Sequence, residues 1–107
     1  MEVKYRIFQI RNIRDVDYAF FGWRFAEDTF SMDDYKEVYS GVTSVDDADE
    51  NEPYMALEKL FYIFNMNRPV DFKGHSLSTS DVVELDGELY YVDSIGWKHL
   101  KGVSVNG

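Results

Sequence analysis

Between Val3 and Ile10 the chain reads VKYRIFQI, which sets Val3, Tyr5 and Ile7 on one side of an extended segment and Lys4 and Arg6 on the other. A two-residue period in β-branched and aromatic residues predicts a strand. The stretch Asp15 to Phe30 carries Tyr18, Phe20, Phe21, Trp23, Phe25 and Phe30. Asp15 or Asp17 is placed to cap a short helix there whose aromatic bodies reach the core, and Gly22 argues against one continuous helix. Ser31 ahead of Met32-Asp33-Asp34 predicts a capped single turn, and Lys36 to Thr43 (KEVYSGVT) a second strand in which Gly41 marks a bulge or an edge. Pro53 suits a first helical position. Leu57, Leu60, Phe61 and Phe64 follow at i, i+3, i+4 and i+7, so four large apolar side chains share one helical stripe. Asn65 to Pro69 ends that helix, because the residue before a proline is pushed out of helical geometry. Finally, Ser80 to Leu85 and Glu88 to Asp93 flank Asp86-Gly87, the pattern of a tight hairpin. Both kinds of element occur without regular βαβ alternation. The expected class is therefore α+β, a small, mainly antiparallel sheet with one principal amphipathic helix and a C-terminal β-hairpin.

A chain of 107 residues, 45% hydrophobic and 17% aromatic, is sized for one domain spanning 1–107 with a packed core. Cysteine is absent, which removes disulfides, thiolate catalysis and cysteine-based zinc sites together. Charges break up the N-terminus before any apolar run of signal-peptide length develops, and Leu60 to Met66 falls far short of the roughly 20 residues that span a bilayer. The expectation is a cytoplasmic protein with no membrane partner.

Charge changes the picture most. Twenty acids stand against eleven bases, a net charge of -9. Residues 27–58 hold eleven acids and one base, whereas residues 1–24 hold five bases and three acids. Within 44–52, Asp46, Asp47, Asp49, Glu50 and Glu52 have no base among them, a composition that repels itself and predicts a solvated loop. A second acidic block contains Asp81, Glu84, Asp86, Glu88 and Asp93. If the two blocks meet, they make a negative field that steers cationic surfaces toward it. Duplex DNA spaces phosphates along a strand by about 6–7 Å, close to two residues of extended chain at a rise of about 3.3 Å each. Glu84, Asp86 and Glu88 have that sequence spacing, although they straddle a turn. The plainer reading of both blocks is a solubilising surface.

Other constellations are weaker. Gly74-His75-Ser76-Leu77-Ser78-Thr79-Ser80-Asp81 crowds an imidazole, hydroxyls and a carboxylate together, but no nucleophile-elbow pattern accompanies it. Turn-forming and backbone-capping roles are the expectation for Ser76, Ser78, Ser80 and Asp81. His75 and His99 sit in no metal-binding spacing, and the acidic loop lacks the central glycine of a calcium loop, so neither metal nor cofactor is expected. Lys4, Arg6, Arg11, Arg14 and Arg24 interleave with Tyr5, Phe8 and Tyr18 as a single-strand nucleic-acid surface would, yet the overall charge favours solvent-facing bases that balance the acidic half. No direct contact with nucleic acid is expected.

The run Gly74-His75-Ser76-Leu77-Ser78, then Ser80-Asp81-Val82-Val83, then Tyr90-Tyr91-Val92-Asp93-Ser94 and Gly96 resembles the signature of YodL-like domains. Tyr5-Arg6-Ile7-Phe8-Gln9, Tyr18-Ala19-Phe20, Gly22-Trp23, Phe25-Ala26, Arg68-Pro69 and Asp71-Phe72 follow the same order. Thr79 and Trp97 depart from it, where valine and phenylalanine are usual. The resemblance implies a fold and a context, bacterial and mobile-element proteins often beside antirestriction modules, without a general catalytic activity. Joined to the acidic field, it makes the leading expectation a non-enzymatic inhibitor of a host defence nuclease, of anti-CRISPR or antirestriction type, that presents acids to a basic groove. The partner-binding residues are then Asp46, Asp47, Asp49, Glu50 and Glu52, with Glu84, Asp86 and Glu88 second. The alternative is a protein-interaction module for a cellular scaffold or morphology factor, anchored by aromatics such as Trp23 or Trp97. A small hydrolase using His75 and a neighbouring serine is the third reading.

Overall fold

A computed structural model describes residues 2–45, 53–103 and 105. Strand β1 (Glu2–Ile10) lies between β2 (Tyr35–Ser44) and β3 (Val82–Leu85), and β4 (Glu88–Val92) and β5 (Trp97–His99) complete an antiparallel sheet in the order β2-β1-β3-β4-β5. The main helix, which follows the single turn α1 (Trp23–Ala26), is α2 (Pro53–Met66).

Alternation along β1 explains why the sheet is covered on both sides. Val3, Tyr5 and Ile7 join Val83, Leu85, Tyr90 and Val92 in a cluster under α2, whose Ala56, Leu57, Leu60 and Phe64 are buried there. Phe8 and Ile10 point the other way, with Val82, Leu89 and Tyr91, against Tyr18, Ala26 and Leu100. Each fully buried leucine or phenylalanine in these layers contributes about 1.5–3 kcal/mol. Phe61, fourth member of the expected stripe, lies at its margin and meets Trp97 edge-on with centroids 6.3 Å apart.

The aromatic stretch is less helical than expected, and its caps differ. Asn12 accepts from Arg14 N to start a short turn at Ile13–Asp15, α1 begins after Gly22, and neither Asp15 nor Asp17 caps a helix. Ser31 does cap its turn, accepting from Asp33 N at 3.1 Å. Strand β2 is an edge, as Gly41 suggested, but the register slip lies between Ile7 and Phe8 opposite Tyr39 and Glu37. Gly41 answers to Tyr5 instead, since a Cβ there would stand 2.8 Å from the tyrosine hydroxyl oxygen. Asp86 (φ 48°) and Gly87 (φ 89°) are both left-handed, the turn that matches the natural twist of a two-residue hairpin.

Candidate functional site

Gln9 continues the core-facing set of β1, so a polar side chain is carried into the interior and must find partners. Its amide closes on the loop after α2. Oε1 accepts from His75 N at 3.2 Å, and Nε2 donates to His75 O at 2.8 Å and to Asp81 Oδ2 at 3.1 Å. Gly74 permits this approach, because a Cβ there would lie 2.4 Å from Gln9 Oε1. Asp81 is fully buried, and its Oδ2 also accepts from Ser78 N at 2.8 Å. Burial pushes its carboxyl up to about 8, against the two hydrogen bonds, which pull the other way.

His75 stands half-exposed over this buried acid, with Nε2 3.8 Å from Asp81 Oδ1 and Nδ1 2.8 Å from Ser76 O. An acid behind an imidazole is two-thirds of a hydrolytic triad. The serines are occupied otherwise: Ser78 Oγ donates to Ser76 O at 2.7 Å, and Ser80 Oγ accepts from Phe20 N at 2.8 Å. Among the described residues no hydroxyl makes a hydrogen bond to His75, and no group of three His, Asp or Glu is placed to hold a metal ion. Ser78, Ser80 and Asp81 therefore do the turn and capping work that their spacing predicts, whereas Ser76 takes part through its carbonyl.

The same latch presents a row of aromatics. Besides Ser80 on Phe20 N, Tyr91 Oη donates to Phe21 O at 2.6 Å, and Trp23 N donates to Asp93 Oδ1 at 3.0 Å. Three side chains of the β3–β4 layer thus fix the backbone of 20–23, and Phe20 is held at φ 69°, a strained setting for a bulky residue. The result leaves Phe20 50%, Phe21 52% and Phe25 71% exposed. Trp23 and Trp97, the aromatic anchors the sequence offered, are instead half-buried, Trp23 against Phe30 and Tyr91 and Trp97 donating to Glu58 at 3.1 Å.

The candidate acids fall into two groups. Asp46, Asp47, Asp49, Glu50 and Glu52 lie outside the described residues. On the hairpin, Glu84 takes a bidentate pair from Arg6, Nε to Oε1 and Nη2 to Oε2 both at 2.7 Å, which holds the guanidinium pKa above its ordinary value. Asp86 Oδ1 accepts from Lys4 N at 3.2 Å. Glu88 is exposed, 3.6 Å from an otherwise unpartnered His99 Nε2. Glu84 is registered with Leu89 and Leu85 with Glu88; partners across a ladder share a face, so Glu84 and Glu88 project from opposite faces. The two-residue spacing therefore does not make a row.

What the register does bring together is one end of the sheet. Ser44, where β2 runs out toward the acidic segment, is opposite Glu2, and the turn at Asp86 is bonded to Lys4 two residues along. Strand β2 thus ends, at Ser44, at the same end of the sheet as the Asp86 turn, whereas Asp81 and Asp93 of the second acidic block lie at the other end. The aromatic row and the latch occupy the other end, where β1 and β4 finish and β3 starts.

No curated protein and no solved structure matches this chain. The sequence model of the YodL-like domain matches residues 4–102. That span takes in β1 from Lys4 onward, the other four strands, the Gln9–Asp81 contacts and the aromatic row, and the chain belongs to the family of YodL-like domains.

Proposed function

We propose that this domain is a non-enzymatic inhibitor that inserts its acidic sheet end into the basic nucleic-acid channel of a host defence nuclease, an RNA-guided effector or a restriction enzyme. The observation that carries the reading is where the charge resides. The described residues hold all eleven bases and fifteen of the twenty acids, a net of -4, so the remaining five of the nine negative charges belong to 46–52 alone. In sequence that segment follows β2, whose last residue Ser44 lies at the sheet end where Asp86 and Glu88 emerge, and Lys4 is the base on the intervening strand nearest that end. Paired Glu84 adds little, because its charge is already answered by Arg6. Lys59, whose Nζ donates to Ser44 O at 2.6 Å, adds one positive charge there, and a channel built to hold phosphates offers more.

The test is capture from lysate of the host at low and high salt, followed by a cleavage assay on what is captured. A nuclease that is retained at low salt, released at high salt and inhibited while bound supports the reading. A captured partner indifferent to salt, or a nuclease that keeps its full rate when bound, contradicts it.

One observation favours the protein-interaction reading as a second: Phe20, Phe21 and Phe25 are exposed to water, and hydrogen bonds to Ser80, Tyr91 and Asp93 fix the backbone of Phe20, Phe21 and Trp23. An interface centred there survives salt, and combined Phe21→Ser and Phe25→Ser removes it.

A further inference from the structure

We propose that the cleft between β1, β2 and the 73–75 loop binds a phosphorylated small molecule of about nucleotide size. The cleft measures about 420 Å³ and is lined by residues 9–10 of β1, 36–38 of β2 and 73–75 of the loop, among them Lys36, Lys73 and one carboxylate, Glu37. That volume falls within the range of small-ligand sites, roughly 300–1,000 Å³. Lys36 is registered with Gln9, which places it on the sheet face that carries the Gly74 loop, beside Lys73. Neither ammonium group has a hydrogen-bond or ion-pair partner among the described residues.

The nearby carboxylates are engaged with other groups. Glu37 is registered with Phe8, on the opposite face, and its Oε1 is 3.3 Å from Arg6 Nη1. Asp71 accepts from Tyr39 Oη at 3.1 Å, and Asp81 is buried behind His75. In a chain of net charge -9, this cleft therefore presents two ammonium groups with no direct partner among the described residues, and its one carboxylate, Glu37, is paired with Arg6. A phosphate monoester carries about -1.5 to -2 near neutral pH, which matches the pair. Val38, half-buried and packed against the cluster under α2, supplies an apolar wall for the body of the ligand. The Gln9 clamp on His75 fixes the loop, so the site is formed before the ligand arrives.

The experiment is an NMR titration of the full chain with AMP, with adenosine and with succinate as separate probes. Saturable shifts of the Lys36, Lys73 and Gly74 amides are expected with AMP, and none with adenosine. Combined Lys36→Glu and Lys73→Glu should weaken AMP about tenfold or more; combined Lys36→Gln and Lys73→Gln serves if the reversed chain does not fold. The proposal is overturned if AMP fails to saturate these amides, if adenosine or succinate does so equally well, or if the folded variant binds AMP as the parent does. Because both lysines lie away from the acidic sheet end, loss of AMP binding without loss of nuclease inhibition separates this site from the proposed inhibitory one.

Discussion

Asp81 ties the fold to pH. Its carboxyl, raised by burial from 3.8 to about 8, holds a proton in the folded chain over a range where the unfolded chain has released it. Folding therefore loses stability from this group as pH rises from about 4 to about 8, the opposite of a salt-bridged aspartate. Asp81→Asn keeps the shape and an acceptor for Ser78 N and Gln9 Nε2. Thermal melts at pH 5 and pH 8.5 are expected to differ less for this variant than for the parent; an unchanged difference refutes the assignment. Gly74 gives a second check at the same latch. Gly74→Ala drives a methyl into Gln9 Oε1 and is expected to cost about 1–3 kcal/mol by denaturant unfolding. This latch was partly legible beforehand, since the serines and Asp81 have turn chemistry. Gln9 was not read as a partner, although a glutamine continuing the Val3, Tyr5, Ile7 alternation is a polar residue aimed at a core. Its partner lies 66 residues away, a distance that no local spacing encodes.

Element by element, legibility followed period and turn chemistry. Strand β1, helix α2 and the Asp86-Gly87 hairpin each carry a strong local signal and fold where that signal places them. Strand β5 has three residues, too few to alternate, and exists because β4 offers it an edge. The segment 15–30 misled for a related reason: its aromatics suggest a helical face, but side chains from distant strands set its backbone. These two classes of element should respond differently to mutation. Leu60→Ala opens a cavity beneath α2 and is expected to cost about 2–5 kcal/mol of global stability. Asp93→Ala removes the acceptor of Trp23 N and Ser94 N, with an expected cost of about 1–2 kcal/mol. Hydrogen exchange at the Trp23 amide should then quicken far more than exchange in β1; equal effects on both would mean that the segment is not held independently.

Across the whole molecule, the described residues set Asp86 and Glu88 at the end of the sheet where the β3–β4 hairpin turns, and Phe20, Phe21 and Phe25 at the other, with Asp81 and Asp93. A net charge of -9 costs the folded state some self-repulsion, and the five acids of 46–52 account for most of the imbalance. Reversing them should leave the melting temperature unchanged or raise it slightly, a result that a structural role for those acids forbids. The decisive measurement for the proposed function is DNA cleavage by a nuclease captured from host lysate with this domain, titrated with the parent and with a variant carrying Asp46→Lys, Asp47→Lys, Asp49→Lys, Glu50→Lys and Glu52→Lys. Inhibition that falls with added salt for the parent, and is absent for the folded variant at every salt concentration, is the predicted result. Equal inhibition by parent and variant would contradict the account.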